Sequence, residues 1–236
     1  MRKILCIITL ILIVTQGNGQ TAEEYYKRGT AKDSLQDYSG AIVEYSMAIK
    51  INPSYGVAYY DRGLAKFHIN DFNGVIDDYS RVLELVPDFA MAYFMRGLAK
   101  VNLQDLRGAI VDYTKAIEID PKYAGAYIKR GSARARLDDT EGAMNDFGIA
   151  IDLEPLNESV YVERGGLKFI LKDYRGTISD FTLAIEINPK LGMAYYFRGL
   201  ANLNLGLKEK GCLDFSKAGE LGFAEAYDAI KDLCNN

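Results

Sequence analysis

An all-α solenoid of helix-turn-helix repeats, closed by a C-terminal capping helix, is the fold this sequence predicts. Three observations carry the prediction. Pro53, Pro87, Pro121, Pro155 and Pro189, all the prolines of the chain, stand 34 residues apart. Gly29, Gly63, Gly97, Gly131, Gly165 and Gly199 keep the same period, as do Tyr25, Tyr59, Tyr93, Tyr127, Tyr161 and Tyr195; a fixed period of this length marks a repeat array. Within each period apolar residues recur at spacings of three and four in two separate runs, which is the helix signature. Near Glu225 the pattern fails: Leu207 and Lys210 replace the Asp and Gly of earlier repeats, and Phe223 stands where Pro is due. A stack needs an atypical end to cover its last apolar face, so residues 224–234 read as a terminal helix.

The chain opens with Arg2 and Lys3, an apolar run from Ile4 to Val14, and the small residues Gly17, Asn18 and Gly19. This pattern looks like a secretory signal peptide over residues 1–19, cut before Gln20. An uncleaved anchor fits less well, because a bilayer span needs roughly 20 apolar residues. Cys6 lies inside the run with almost no basic region before it, and is not read as a lipid-modified cysteine. No other stretch is long and apolar enough to cross a membrane, so no stable span is expected after cleavage. Removing Arg2 and Lys3 takes the basic residues from 28 to 26 against 32 acids, and the formal charge from −4 to −6. Such a mildly acidic domain lacks the dense basic surface that nucleic-acid binding requires.

Six units follow, 22–55, 56–89, 90–123, 124–157, 158–191 and 192–225, with 226–236 completing the cap. In the second unit the first helix spans Ala58 to Ile69, with Tyr59, Gly63 and Lys66 on one face and Tyr60, Leu64 and Phe67 on another. Asn70 and Asp71 end it, and the Asp71 carboxylate is placed to cap the next helix. That second helix runs from Phe72 to Leu85, with Val75, Ile76, Tyr79, Val82 and Leu83 on its apolar face. Pro87, which has no N–H to donate, stops it. Asp37, Asp105, Asp139 and Asp173 repeat the punctuation. Gly at the eighth position lets the paired helices approach, and Tyr45, Tyr79, Tyr113, Phe147, Phe181 and Phe215 at the twenty-fourth fill the space beside it. One hairpin cannot bury its own apolar face; stacked hairpins can.

These positions, with a mostly small twentieth residue (Ala41, Val75, Ala109, Ala143, Thr177, Gly211) and Ala at the twenty-seventh in every unit but Val82, resemble the tetratricopeptide repeat. The resemblance covers all six units and implies a right-handed superhelical solenoid that binds a protein or peptide. It implies further that the first helices line a concave face with their second, fifth, ninth, twelfth and thirteenth residues. The candidates for partner binding are therefore Tyr26, Tyr60, Phe94 and Tyr196 at the fifth position, Phe67 at the twelfth, and His68, Asn102 and Arg136 at the thirteenth. The ninth position is Leu64, Leu98 and Leu200, interrupted by Ser132 and Gly166. An apolar, aromatic groove with a mixed polar rim follows, and exposed apolar surface of that kind marks an interaction site. The competing reading is that neighbouring helices cover much of it. Family members that clamp a C-terminal carboxylate carry basic residues and Asn at the fifth, sixth and ninth positions, and the aromatic or aliphatic fifth positions here argue against that ligand.

Two departures recur. The seventh residue is Arg (Arg28, Arg62, Arg96, Arg130, Arg164, Arg198) where the family motif has Leu, and the eleventh is Lys or Arg, or Asn202 in the last unit, where it has Tyr. The arginines form either a cationic ribbon for acidic ligands or a ladder of ion pairs with the twenty-third residues Glu44, Asp78, Asp112, Asp146, Asp180 and Asp214. In a hairpin that turns near its fifteenth residue the seventh and twenty-third lie opposite, which favours the ladder, within or between repeats.

Little in the chain points to catalysis, cofactors or metals. His68 is the one histidine, and neither a nucleotide-binding glycine loop nor a paired-cysteine motif occurs. Asp138, Asp139 and Glu141 have the wrong spacing for a calcium loop and read as a solvated helix start. Asn157–Glu158–Ser159 is a glycosylation acceptor only in a eukaryotic secretory pathway. The segment GCLDFSKAGELG, followed by a final Cys, resembles the ends of exported bacterial repeat proteins. The expectation is a non-enzymatic exported scaffold, periplasmic or extracellular in a bacterium, that binds a protein or peptide. The alternatives are a self-associating structural envelope protein and an accessory subunit of an enzyme. Signal cleavage would leave Cys212 and Cys234 in an oxidising compartment, where disulfides persist. They lie ten residues before and twelve after the turn at Gly222, so antiparallel helices bring them together as a disulfide; the bland alternative is two small buried hydrophobes.

Overall fold

A computed structural model describes residues 20–234; the expected signal segment, residues 1–19, lies outside the described residues. The described residues form helices and no strand. The chain divides into two compact units, residues 1–87 and 88–236. The first holds α1 (Ala22–Ser34), α2 (Tyr38–Ile51), α3 (Gly56–His68) and α4 (Phe72–Leu85). The second holds α5 (Ala90–Asn102), α6 (Leu106–Ile119), α7 (Ala124–Ala135), α8 (Thr140–Leu153), α9 (Glu158–Ile170), α10 (Tyr174–Ile187), α11 (Gly192–Asn204), α12 (Lys208–Glu220), α13 (Glu225–Ala229) and a closing π-helix, Ile230–Cys234. In each unit successive helices pack as hairpins, and each hairpin stacks on the next one of that unit.

The turns inside the hairpins all use one local device. The fifteenth residue of each repeat, Gln36, Asn70, Gln104, Asp138, Lys172 or Gly206, is left-handed, with φ between 60° and 76°. The following N–H then reaches back to the eleventh residue's carbonyl, as from Asp71 to Lys66 at 3.0 Å, and satisfies an orphan acceptor at the helix end. The next Asp caps the second helix: Asp37, Asp71, Asp105, Asp139 and Asp173 accept from the N–H of Gly40, Gly74, Gly108, Gly142 and Gly176 at 2.9–3.0 Å. In the sixth repeat Leu207 makes no such bond, and Gly206 is the one glycine among the six turns. The first helix of the second repeat starts at Gly56, two residues ahead of the sequence estimate, because the Ala58 N–H already bonds the Tyr55 carbonyl.

Packing centres on the eighth and twenty-fourth residues. A Cβ built on Gly97 would stand 2.6 Å from the Tyr113 ring, so only glycine lets α5 lie this close to α6. Tyr45, Tyr79, Tyr113, Phe147, Phe181 and Phe215 are all essentially inaccessible to solvent. The phenol oxygens of Tyr79 and Tyr113 are buried without a hydrogen-bond partner, and burial pushes both pKa values far up.

The arginine row is an ion-pair ladder, and each rung lies within one repeat. Arg62, Arg96, Arg130, Arg164 and Arg198 clamp Asp78, Asp112, Asp146, Asp180 and Asp214 through two parallel bonds, Nε to Oδ2 at 2.9–3.0 Å and Nη2 to Oδ1 at 2.5–2.7 Å. Arg28 and Glu44 make the equivalent contact at 3.0 Å. The eleventh-position cations complete each site: Lys66, Lys100, Arg134 and Lys168 reach the same carboxylates at 2.7–2.9 Å. In the last repeat Asn202 substitutes a neutral donor, 3.1 Å from Asp214. Each arginine also lies over the Tyr four positions into its repeat, 4.3–5.9 Å from the ring centre. Nη1 of Arg62, Arg130 and Arg198 bonds a hydroxyl of the preceding repeat, on Ser46, Thr114 and Thr182. Both departures from the family motif thus serve one buried network.

The C-terminal cap differs from the single helix expected. It is α-helical only to Ala229 and finishes in the wider π winding. Cys234 is bonded to Cys212 on α12, with the Cα atoms 5.8 Å apart. Ala226, Ala229, Ile230 and Phe223 cover Phe215 and the apolar side of α11.

Replacing Arg130 with Ala leaves the fully buried Asp146 short of its bidentate partner and is expected to cost about 3 kcal/mol. A double-mutant cycle with Asp146→Ala, measured by urea unfolding, should return a coupling above about 1 kcal/mol. Tyr113→Phe removes an unsatisfied hydroxyl where the fourth to sixth repeats already have Phe. Its unfolding midpoint should rise, by up to about 1 kcal/mol of stability.

Candidate functional site

The candidate residues sit on the first helices, apart from Arg136 just past the end of α7, but most of the aromatic ones are already half-buried. In the first unit the Tyr26 hydroxyl donates to Asp61 Oδ2 at 2.6 Å, and its ring packs 5.7 Å from Tyr45 and 5.3 Å from Tyr55. Tyr60 meets Tyr79 edge-on at 5.5 Å, and Phe67 meets Phe72 in the same way at 5.5 Å. His68 is exposed, its ring stacked on Tyr38 at 4.3 Å. Burial raises the pKa of the Asp61 carboxyl, the Tyr26 hydrogen bond opposes that shift, and the nearby Asp33 charge adds to it. Burial likewise pushes the Tyr26 phenol far up, followed by its bond to Asp61.

In the second unit Phe94 packs 5.7 Å from Tyr113 and 4.9 Å from Tyr123, as part of the wall of the core. The exposed Asn102 returns its amide to the Leu98 carbonyl of its own helix, at 2.9 Å. Arg136, also exposed, donates to Gln104 Oε1 at 2.6 Å. Tyr196 lies under the C-terminal cap, 5.0 Å from Phe223, so the cap occupies the face expected to meet a partner. Neighbouring side chains therefore cover much of the aromatic row, Phe94 and Tyr196 included.

The open space is elsewhere on the same helices. A cavity of about 680 Å³ lies between α7, α9 and α11, walled by Ala135, Val162, Phe169, Ile170, Met193 and Phe197. Arg136 is the one partner-binding candidate that lines it. Phe147 and Phe181 reach it from the second helices. These wall residues hold the second, fifth, sixth, twelfth and thirteenth positions of their repeats, and the ninth positions are Ser132 and Gly166. Where other repeats carry Leu64, Leu98 or Leu200, these two leave a void. Gly166 shows this most directly: a Cβ built on it meets nothing within 4 Å, whereas one on the adjacent Gly165 stands 3.2 Å from Asp180 and 3.3 Å from the Phe181 ring. At Gly165 a side chain would press on its neighbours. At Gly166 it would not, although glycine inside a helix costs about 1 kcal/mol against Ala. The sequence signal was the interruption of the leucine row; read as a gap in a groove, it marks the cavity.

The cavity's polar lining is sparse. Glu163, half-buried as a residue, has no ion pair or hydrogen bond among the described residues, and Asp138 and Arg136 stand at the rim. Among the described residues no cluster of three or more His, Cys, Asp or Glu is arranged to hold a metal, and no helix is long and apolar enough to cross a membrane. The arrangement can bind an apolar group and recognise a charge beside it.

Comparison with known proteins places this geometry. A family model described as a TPR repeat matches residues 97–138. The crystal structure of MamA protein is 26% identical, with a TM-score of 0.62, over 75% of this chain and 93% of that one. A tetratricopeptide repeat protein from Parabacteroides merdae is 21% identical, with a TM-score of 0.69, over 93% and 85%. YrrB, described as a TPR protein with an unusual peptide-binding site, is 20% identical, with a TM-score of 0.62, over 79% and 97%. No curated protein matches the chain.

Core and surface roles separate by mutation. Phe94→Ala should destabilise the chain by about 2–3 kcal/mol, near the lower end for a buried aromatic because the site is half-exposed. Ile170→Ser, at a residue 76% exposed on the cavity lip, should change stability by less than about 0.5 kcal/mol. Urea titrations of both variants followed by circular dichroism check the pair.

Proposed function

We propose, from the premise that this chain is a tetratricopeptide-repeat protein, that it is an exported scaffold holding a peptide or protein partner on the faces of its first helices. The cavity between α7, α9 and α11 carries this reading, because it is a sizeable apolar space left open at positions where other repeats are filled. YrrB, with its peptide-binding site, supports the class of partner. Export is supported by the signal-like residues 1–19 and by the Cys212–Cys234 bond, since disulfides persist in oxidising compartments.

Two measurements test the proposal. Full-length chain expressed in a bacterium should yield a mature protein that starts at Gln20 and carries no free thiol by non-reducing mass spectrometry. Unprocessed chain with two reduced cysteines after residue 200 would overturn export. Mature protein immobilised against envelope extract should retain a partner that Ile170→Asp with Phe169→Ser releases. Retention of a second copy of the chain alone would favour self-association. Retention indifferent to the double variant would remove the cavity from the reading.

A further inference from the structure

We infer that the α7–α9–α11 cavity is a specificity pocket for a polypeptide segment that presents one large apolar side chain with a lysine or arginine beside it. The inference rests on the peptide-binding reading above and names what that face selects. The volume, about 680 Å³, falls within the range of sites that enclose a ligand group. Two consecutive repeats both lack a leucine at the ninth position here, with Ser132 and Gly166 in its place, and the space is walled by Val162, Phe169, Met193 and Phe197. Gly166 weakens its helix without any close approach that demands glycine, so its one local consequence is the pocket.

The charge of the pocket chooses the neighbour of the apolar group. Glu163 is half-buried among these apolar walls and forms no ion pair or hydrogen bond among the described residues. Asp138 adds a second carboxylate at the rim. The single cation, Arg136, has its Nη2 committed to Gln104. The lining therefore carries one net negative charge, Arg136 against Asp138 and Glu163. A partner's Lys or Arg beside the apolar anchor meets Glu163 at the pocket wall, and an acidic residue in that place is repelled.

The test is selection from a random dodecapeptide phage library on the mature protein, followed by titration of the selected peptides with a fluorescent label. Enriched sequences should carry Phe, Leu, Ile or Met next to Lys or Arg. Gly166→Leu, which installs the side chain found at the ninth position of three other repeats, should lower affinity by about tenfold or more and leave the melting temperature unchanged or higher. Ser132→Leu fills the same space from α7 and serves if Gly166→Leu perturbs the fold. Glu163→Gln should lower affinity by about threefold to tenfold and abolish the preference for Lys over Gln in the peptide. Peptides that bind wild type and both leucine variants alike would overturn the pocket while leaving peptide binding in place. Unchanged Lys preference in Glu163→Gln would overturn the basic neighbour. A library that yields no binder would overturn this inference and the peptide-binding reading together, whereas envelope capture that survives Gly166→Leu would overturn this inference alone.

Discussion

The buried carboxylate at the twenty-third position sets the terms for each repeat. Asp78, Asp112, Asp146 and Asp180 are at most 1% exposed, and a charge so placed must be met by opposite charge and saturated with hydrogen bonds. The chain answers with a bidentate arginine from the seventh position and a second cation from the eleventh. Because both cations come from the first helix and the acid from the second, the network fixes how the two helices of a hairpin slide and rotate against each other. A planar guanidinium does this better than a flexible ammonium, since its fork matches the carboxylate in one orientation. The arginine then extends the constraint outward: its face lies on the tyrosine of its own repeat, and its third nitrogen bonds the preceding repeat's Ser or Thr at Arg62, Arg130 and Arg198. The preceding repeat offers Gly148 at that place to Arg164. Buried ion pairs of this kind contribute more to register than to net stability.

With register fixed by charge, glycine has two separable uses on one helix. A Cβ on Gly165 would stand 3.2–3.3 Å from the Asp180 side chain and the Phe181 ring, tighter than ordinary contact, while one on Gly166, the next residue, meets nothing within 4 Å. A helix turns about 100° per residue, so adjacent glycines necessarily serve different surfaces. The first holds the hairpin together and the second opens a space in the face that other repeats fill with leucine. The function proposed for this protein therefore depends on side chains the repeat omits, set in a frame stiff enough to keep the omission from collapsing.

The C-terminal cap works against the same face. Its Phe223 lies on Tyr196 and, with Ala226 and Ala229, covers the Phe215 cluster, so the last repeat has its fifth-position aromatic packed under the cap. The disulfide closes this cap onto α12.

By itself the sequence determined the periodic features. The 34-residue spacing of Pro, Gly and Tyr, the Asp caps from Asp37 to Asp173, the eight–twenty-four packing pair and the opposed Arg and acid positions are local or repeated, and five or six copies make each legible. The proximity of Cys212 and Cys234 followed from their distances to one turn. Tertiary structure decided what depends on the neighbours of a side chain. Tyr26, Tyr60 and Phe94 share the fifth position that the family resemblance assigns to an open groove, but their rings lean on Tyr45, Tyr79 and Tyr113 of the second helices. The role of the eleventh-position cations was equally hidden, because nothing along the chain shows that Lys100 and Arg96 converge on one carboxylate. The cavity is the plainest case: the break in the leucine row at Ser132 and Gly166 was legible along the chain, but only the packing of α7, α9 and α11 brings both positions to one space.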